Sequence, residues 1–368
     1  MAEVTGLGPD RAAQIDGDGM LAEVSGLAAQ LRQGYAIARD RLAGAFAGSS
    51  AAVPPAEPDG LVVCGMGGSA IGADLVLASL PPLAVPSAVV RGYELPEWAG
   101  PDTLVVVISY SGQTEEALAC AAQARSRSCT PVCVSSGGSL AAYAEAERLP
   151  LVLVPGGGQP RAAVGSLSMP LLATLEAAGL TYDHATEVAS TADQLEADDA
   201  LLGPASPDDG NPAKVLARKL HRRLVVVYGA GPTVSVARRW KGQVNENAKA
   251  PAFFNELPEL DHNELMGWTS LPDVTGSTVA LFLTDESAGE RLLRRAELTA
   301  REYEELGVAS ELVAARGDSR LARLFSLVQL GDYASCYLAL LYGVDPTPVD
   351  AIQSFKANLA GDGRVTER

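Results

Sequence analysis

Two short segments carry residues able to hold an anion. The first, Gly65-Met66-Gly67-Gly68-Ser69, follows an apolar run and opens a helical pattern. Glycines let the main chain approach a ligand closely, and the free N–H groups at a helix start point toward negative charge. The second, Ser109-Tyr110-Ser111-Gly112-Gln113-Thr114-Glu115-Glu116, also leaves an apolar run. In a doubly wound sheet, the loops at the carboxyl ends of neighbouring strands converge on one crevice. Ser69, Ser109, Ser111 and Thr114 would then ring a small anion with hydroxyl donors, beside Gly67 and Gly68 at the helix start. Thr114 has a second reading as a helix N-cap. The spacing Gly65-x-Gly67-x-x-Ala70 also meets a dinucleotide fingerprint. However, the second apolar run ends Val89-Val90-Arg91-Gly92-Tyr93, without an acid to hold a ribose, so the expectation is a phosphate seat and no cofactor.

Other titratable residues read differently by type alone. Glu246 lies near the end of a helical pattern among Asn245, Asn247 and Lys249, where a carboxylate facing solvent is the default. His262 sits in a Pro/Asp/Asn-rich loop and is one of three histidines, the others, His184 and His221, lacking any supporting constellation. Arg161 follows Gly156-Gly157-Gly158, a loop able to close over a ligand. Lys356 falls just off the apolar stripe Val349, Ile352, Phe355 and Leu359, and reads as a surface lysine. Cys64, Cys120, Cys129, Cys133 and Cys336 are odd in number and form no CxxC pair. They read as small buried apolar side chains in a reducing compartment. Sparse histidines and scattered cysteines offer no metal-ligand set.

The elements that must position these residues follow from hydrophobic periodicity. Met20–Phe46 reads as an amphipathic helix, broken by a polar Ala/Pro-rich stretch from Gly48 to Asp59. Strands are expected at Leu61–Cys64, Ala84–Val90, Thr103–Ile108, Pro131–Val134 and Leu149–Val154, alternating with helices and closed by a helix from Val164 to Ala178. Near-continuous apolar strands in β–α alternation imply a parallel sheet covered on both faces. A helix from Ala185 to Leu202 leads to a Pro/Gly/Asp cluster at 203–212, the expected linker. Strands at Leu224–Tyr228, Thr278–Leu283 and Ala309–Val313 then alternate with helices at Pro232–Asn247, Ala288–Glu305 and Ser319–Tyr342. The expected division is 20–202 for the N-terminal helix and first α/β unit, 213–346 for the second, and 347–368 for a terminal helix and tail.

The chain has 368 residues, which suits two domains. A net charge of −17 opposes binding to a phosphate backbone, so no nucleic-acid partner is expected. The start of the sequence has no basic-then-apolar signal pattern, and no uninterrupted apolar run of about 18 residues occurs. The expectation is a cytoplasmic protein without a membrane contact.

The pair Gly65-Met66-Gly67-Gly68-Ser69-Ala70 and Ser109-Tyr110-Ser111-Gly112-Gln113-Thr114-Glu115-Glu116 resembles the sugar-isomerase (SIS) domain. The segment Arg239-Trp240-Lys241-Gly242-Gln243-Val244-Asn245-Glu246-Asn247-Ala248-Lys249-Ala250-Pro251-Ala252, with Glu259-Leu260-Asp261-His262-Asn263-Glu264, resembles more narrowly the bifunctional phosphoglucose/phosphomannose isomerase family. The resemblance runs from the first α/β unit to the terminal helix. It implies two SIS-type, flavodoxin-like three-layer α/β/α units plus a C-terminal helix, assembled as a homodimer. It also implies interconversion of glucose 6-phosphate or mannose 6-phosphate with fructose 6-phosphate through a cis-enediol. Glu246 would be the base that moves a proton between C2 and C1. His262, supplied by the partner subunit, would assist ring opening, Arg161 would steady the enediolate, and Lys356 would reach the ring oxygen.

These residue types suit the chemistry. One carboxylate in a dry surrounding can shuttle a proton between adjacent carbons, a histidine titrates near neutrality, and a guanidinium supplies fixed positive charge. The small polar residue that tunes epimer choice before the lysine is ambiguous, because Thr347 and Gln353 are polar while Val349 and Ile352 between them are apolar. Two alternatives stay open: a non-catalytic sugar-phosphate sensor with an idle base, and an SIS enzyme acting on an aminosugar phosphate.

Overall fold

The computed structural model describes residues 6–46 and 53–361. Part of the expected Gly48–Asp59 break and the tail after Gly361 lie outside the described residues. Helices α1 (Pro9–Ile15), α2 (Met20–Ser25) and α3 (Leu27–Phe46) come first. The single helix expected from Met20 is thus broken at Gly26, whose N–H returns to the Glu23 and Val24 carbonyls and closes α2.

The first sheet is built from β1 (Gly60–Cys64), α4 (Gly67–Ser79), β2 (Ser87–Val90), β3 (Thr103–Ser109), α5 (Glu115–Ser126), β4 (Val132–Ser135), α6 (Gly138–Ala146) and β5 (Leu151–Leu153), followed by α7 (Val164–Ala177). Its strands are all parallel in the order β2-β1-β3-β4-β5. The strand order reverses between β1 and β3, so the Gly65–Ser69 and Ser109–Thr114 loops emerge side by side at the switch point. Three strands begin later than the apolar runs do. Pro86, Pro131 and Pro150 precede them, and a proline cannot donate to a ladder.

Helices α8 (Ala185–Leu202) and α9 (Pro212–Leu220) lead into the second sheet. The expected linker between them is folded back tightly. Buried Lys214 donates to the Pro204 and Ser206 carbonyls at 2.9 and 2.7 Å, and Asn211 caps α9 through the Ala213 and Lys214 N–H groups. Next come β6 (Leu224–Ala230), α10 (Val234–Asn247), β7 (Ala252–Leu257), α11 (Pro272–Gly276), β8 (Thr278–Thr284), α12 (Glu290–Glu305), β9 (Ala309–Ala314), α13 (Arg320–Tyr342) and α14 (Asp350–Ala360). The second sheet is also parallel, in the order β7-β6-β8-β9. Helices α1 and α9 and strand β7 were not expected from the sequence.

Alternation along the strands divides the core. Leu61 and Val63 of β1, Val225 and Val227 of β6, and Leu281 and Leu283 of β8 face one continuous apolar core that joins both units. Val62 and Cys64 face the outer layer of the first sheet, and Val226, Tyr228 and Phe282 that of the second. Two three-layer units sharing an inner layer are the result. Helix α13 occupies that shared layer, with every residue from Leu321 to Leu341 buried except Leu330. It is the one described helix long and apolar enough to cross a membrane, and 94% of its most apolar window is buried inside the protein. All five cysteines are buried and unpaired.

Candidate active site

The loops after β1 and β3 touch. A Cβ added at Gly65 would lie 3.0 Å from the Ile108 carbonyl oxygen and 3.1 Å from Ser69 Cβ. Ser69 and Ser109 are both buried there. Ser109 Oγ donates to Thr114 Oγ1 at 2.9 Å, and Ser111 Oγ accepts from the Gln113 N–H at 3.2 Å. Thr114 does stand at the start of α5, but its side chain caps no backbone N–H. Its hydroxyl accepts from Ser109 instead.

Gly68, in the first turn of α4, meets a third loop. A Cβ there would lie 2.6 Å from the Pro160 carbonyl oxygen and 3.4 Å from Arg161 Cα, so only glycine lets the Arg161 loop close on the helix start. That loop is pinned, contrary to the free closure that its glycines suggest. The Gly158 N–H donates to Tyr110 Oη at 3.1 Å and the Gln159 N–H to Glu23 Oε2 at 2.6 Å. Arg161 itself is 5% exposed. Its Nε donates to Asn247 Oδ1 at 2.7 Å, and its Nη2 to the Pro346 and Thr347 carbonyls at 2.8 and 2.7 Å. Nη1 donates to Gln159 Oε1 at 3.2 Å and lies 3.9 Å from Glu246 Oε2. Burial lowers the Arg161 pKa and the nearby Glu246 charge opposes that shift; the guanidinium stays protonated at neutral pH.

Helix α10 supplies the opposite wall. Arg239, Gln243 and Asn247 recur at four-residue spacing and form its inward stripe. Arg239 grips Asp332 of α13 with Nε at 3.0 Å and Nη2 at 2.6 Å, and Gln243 Nε2 donates to the same carboxylate at 2.8 Å. Burial pushes the Asp332 carboxyl up while Arg239 pulls it down. Arg239 Nη2 also donates to the Arg161 carbonyl at 2.8 Å, and Asn247 Nδ2 to Ser335 Oγ at 2.9 Å. With its neighbour Asn247 turned inward, Glu246 projects sideways, 35% exposed. Lys249 closes the helix end, its Nζ donating to the Glu246 and Pro346 carbonyls, each at 2.8 Å.

A cleft of about 370 Å³ lies between these walls, lined by Gly67, Gly68 and Ile71 on one side and Arg161, Gly242 and Glu246 on the other. Glu246 also borders a second cavity of about 520 Å³, shared with Lys249 and the root of α14 at Pro348–Ile352. The structure therefore brings Gly67, Gly68, Arg161 and Glu246 together in one cleft, while Ser69, Ser109, Ser111 and Thr114 stand beside it and line neither cavity. Neither His262 nor Lys356 lines either cavity. Lys356 stands exposed on α14, as does Gln353, whereas Thr347 is buried beside Arg161 with its hydroxyl unpartnered among the described residues.

His262 ends a 3₁₀ turn, Glu259–His262, and is exposed. The acids flanking it are anchors. Asp261 accepts from Arg295 Nη1 at 2.7 Å and Thr299 Oγ1 at 2.8 Å on α12, and Glu264 accepts from Asn255 Nδ2 at 2.6 Å and from Tyr228 Oη. Asn247, Lys249, Asp332, Asp261 and Glu264 were given no role in the sequence reading. Only the four-residue spacing of Arg239, Gln243 and Asn247 signals any of this beforehand.

Known proteins resemble this chain over most of its length. Residues 209–359 match the model of the bacterial phospho-glucose isomerase C-terminal SIS domain. A bifunctional phosphoglucose/phosphomannose isomerase of Caldicellulosiruptor bescii is 37% identical over 345 residues, 93% of this chain and 99% of that protein. One from Aquifex aeolicus is 37% identical over 302 residues, 82% of this chain and 90% of its own. Among solved structures, a hypothetical protein of Thermus thermophilus superposes with a TM-score of 0.73 at 18% identity, covering 96% of this chain and 93% of that one, which shows the fold.

Proposed function

The chain belongs to the bifunctional phosphoglucose/phosphomannose isomerase family, and on that premise we propose how its cleft works. The protein is an aldose–ketose isomerase that interconverts glucose 6-phosphate and mannose 6-phosphate with fructose 6-phosphate. The 6-phosphate is held by the Gly67–Ser69 helix start and by Ser109, Ser111 and Thr114. The Glu246 carboxylate takes the proton from C2 of the open-chain aldose, and the electron pair left behind forms the C1–C2 double bond of the enediol. Glu246 returns the proton to C1 as the hydroxyl proton on O2 passes to O1, so no oxidant or reductant is consumed. Arg161, held against rotation on three sides, presents Nη1 to the charge that grows on the enediolate oxygens. Glucose and mannose phosphates differ only at C2 and share that enediol, so one base serves both.

His262 and Lys356 would complete the site at the interface of a homodimer in the cytoplasm, His262 reaching the cleft of the partner copy to open the sugar ring. Two features support this reading. His262 is displayed outward by a turn whose neighbours are anchored. Phe253 on β7 and Met266 and Leu271 in the segment after His262 are 57, 72 and 61% exposed, and Phe355 and Leu359 on α14 are 67 and 62% exposed. Large apolar side chains exposed together mark a protein contact.

The observation that carries the reading is the carboxylate of Glu246 beside a buried, immobilised Arg161 in the same cleft as the phosphate loop. Glu246→Gln should lower the rate of glucose 6-phosphate to fructose 6-phosphate conversion by about a hundredfold or more, with fructose 6-phosphate still bound in a calorimetric titration. A variant as active as the wild type would defeat the assignment of the base.

A further inference from the structure

Helix α10 carries a glycine in its middle that its own packing does not require. Gly242 lies within the helix Val234–Asn247, and a Cβ added there would meet no atom of the described residues within 4 Å. Glycine is among the poorest residues for a helix interior, since it loses the most backbone freedom. Gly65 and Gly68 face backbone that a side chain would strike, but Gly242 faces open space, and that space is the cleft. Arg238 and Glu246 stand one turn before and one turn after it and line the same cleft, so all three share a face of the helix. Across the gap stand Gly67, Gly68 and Ile71 of α4. The missing side chain leaves a bare floor between the proposed base and the phosphate loop.

We propose that Gly242 is a specificity-determining residue: the hydroxylated carbon chain of the sugar phosphate lies across it, and bulk at this position excludes the sugar while sparing the phosphate seat. The inference rests on the isomerase reading of the cleft and adds where the sugar runs. The helix needs no glycine here, so stability and function should move in opposite directions.

The test compares Gly242→Ala and Gly242→Leu with the wild type in three measurements: thermal unfolding, isomerase kinetics, and affinity for fructose 6-phosphate and for inorganic phosphate. Gly242→Ala should raise Tm by about 2 °C, as expected for replacing an unstrained helical glycine. Gly242→Leu should weaken fructose 6-phosphate binding and raise KM by about tenfold or more, while inorganic phosphate binds as to the wild type. Folded Gly242→Leu protein with an unchanged KM would overturn the proposal. So would an equal loss of affinity for inorganic phosphate, since that would mean a displaced helix rather than a filled floor. A wild-type protein that converts no hexose phosphate would instead count against the isomerase reading.

Discussion

Arg161 is the residue whose environment departs most from its type. A loop arginine usually keeps its head in water, yet this one gives Nε to a side-chain amide, Nη2 to two carbonyls and Nη1 to the Gln159 side chain, with Nη1 also 3.9 Å from Glu246. Lysine would retain the charge but could not span those acceptors, because its ammonium is a single point on a flexible stem. Arg161→Lys should therefore lower kcat by about a hundredfold, in the range for losing one preorganised donor to a developing oxyanion, and change the KM for fructose 6-phosphate little. Equal kcat values for the two proteins would remove Arg161 from the enediolate. Sequence pattern places Arg161 in a glycine-rich loop and Glu246 on a helix. It cannot show that Asn247, and not Glu246, is the one turned inward, since both are polar and adjacent and the choice is made by Ser335 and Arg161 from distant parts of the chain.

At the scale of elements, what was legible is what periodicity controls. The alternating strands, the long helices and the order of motifs along them follow from apolar spacing. Strand β7 does not. Its Ala252-Phe253-Phe254-Asn255-Glu256-Leu257 run mixes aromatic and polar residues, as an edge strand with one unpaired side can, and Phe253 is exposed. The turn after it is held by buried Leu260 and by Asp261 and Glu264, whose partners lie on α12, β6 and β7. Asp261→Ala frees one anchor without touching the cleft. It should lower kcat on glucose 6-phosphate by about tenfold or more, because small misplacements of a reacting group are costly, while fructose 6-phosphate affinity holds. Unaltered kcat would mean that the turn's position is irrelevant to the reaction.

At the scale of the whole molecule, one inner layer joins both units, so Gly67 and Gly68 of the first and the Glu246 carboxylate of the second line a single cleft. We propose that the exposed His262 acts in the cleft of a second copy. Mixed dimers decide this. A dimer of one Glu246→Gln chain and one His262→Ala chain should regain one intact site of two when each site takes its carboxylate from one subunit and its histidine from the other. If both groups came from the same chain, the mixed dimer would be as inactive as its parents. Composition gives the acidic balance and the two-unit size, but an interface is a matter of which apolar side chains remain uncovered, and Phe253, Met266 and Phe355 read in sequence like any core residue.

The central claim is that one carboxylate moves one proton between C2 and C1, and deuterium reports this directly. Fructose 6-phosphate incubated with the protein in heavy water should yield glucose 6-phosphate and mannose 6-phosphate carrying deuterium at C2, seen by proton NMR, because the base exchanges with solvent between its two transfers. Glu246→Gln should give neither product nor label on the same timescale. Labelled product forming at an undiminished rate with Glu246→Gln, or no aldose from the wild type, would contradict the account.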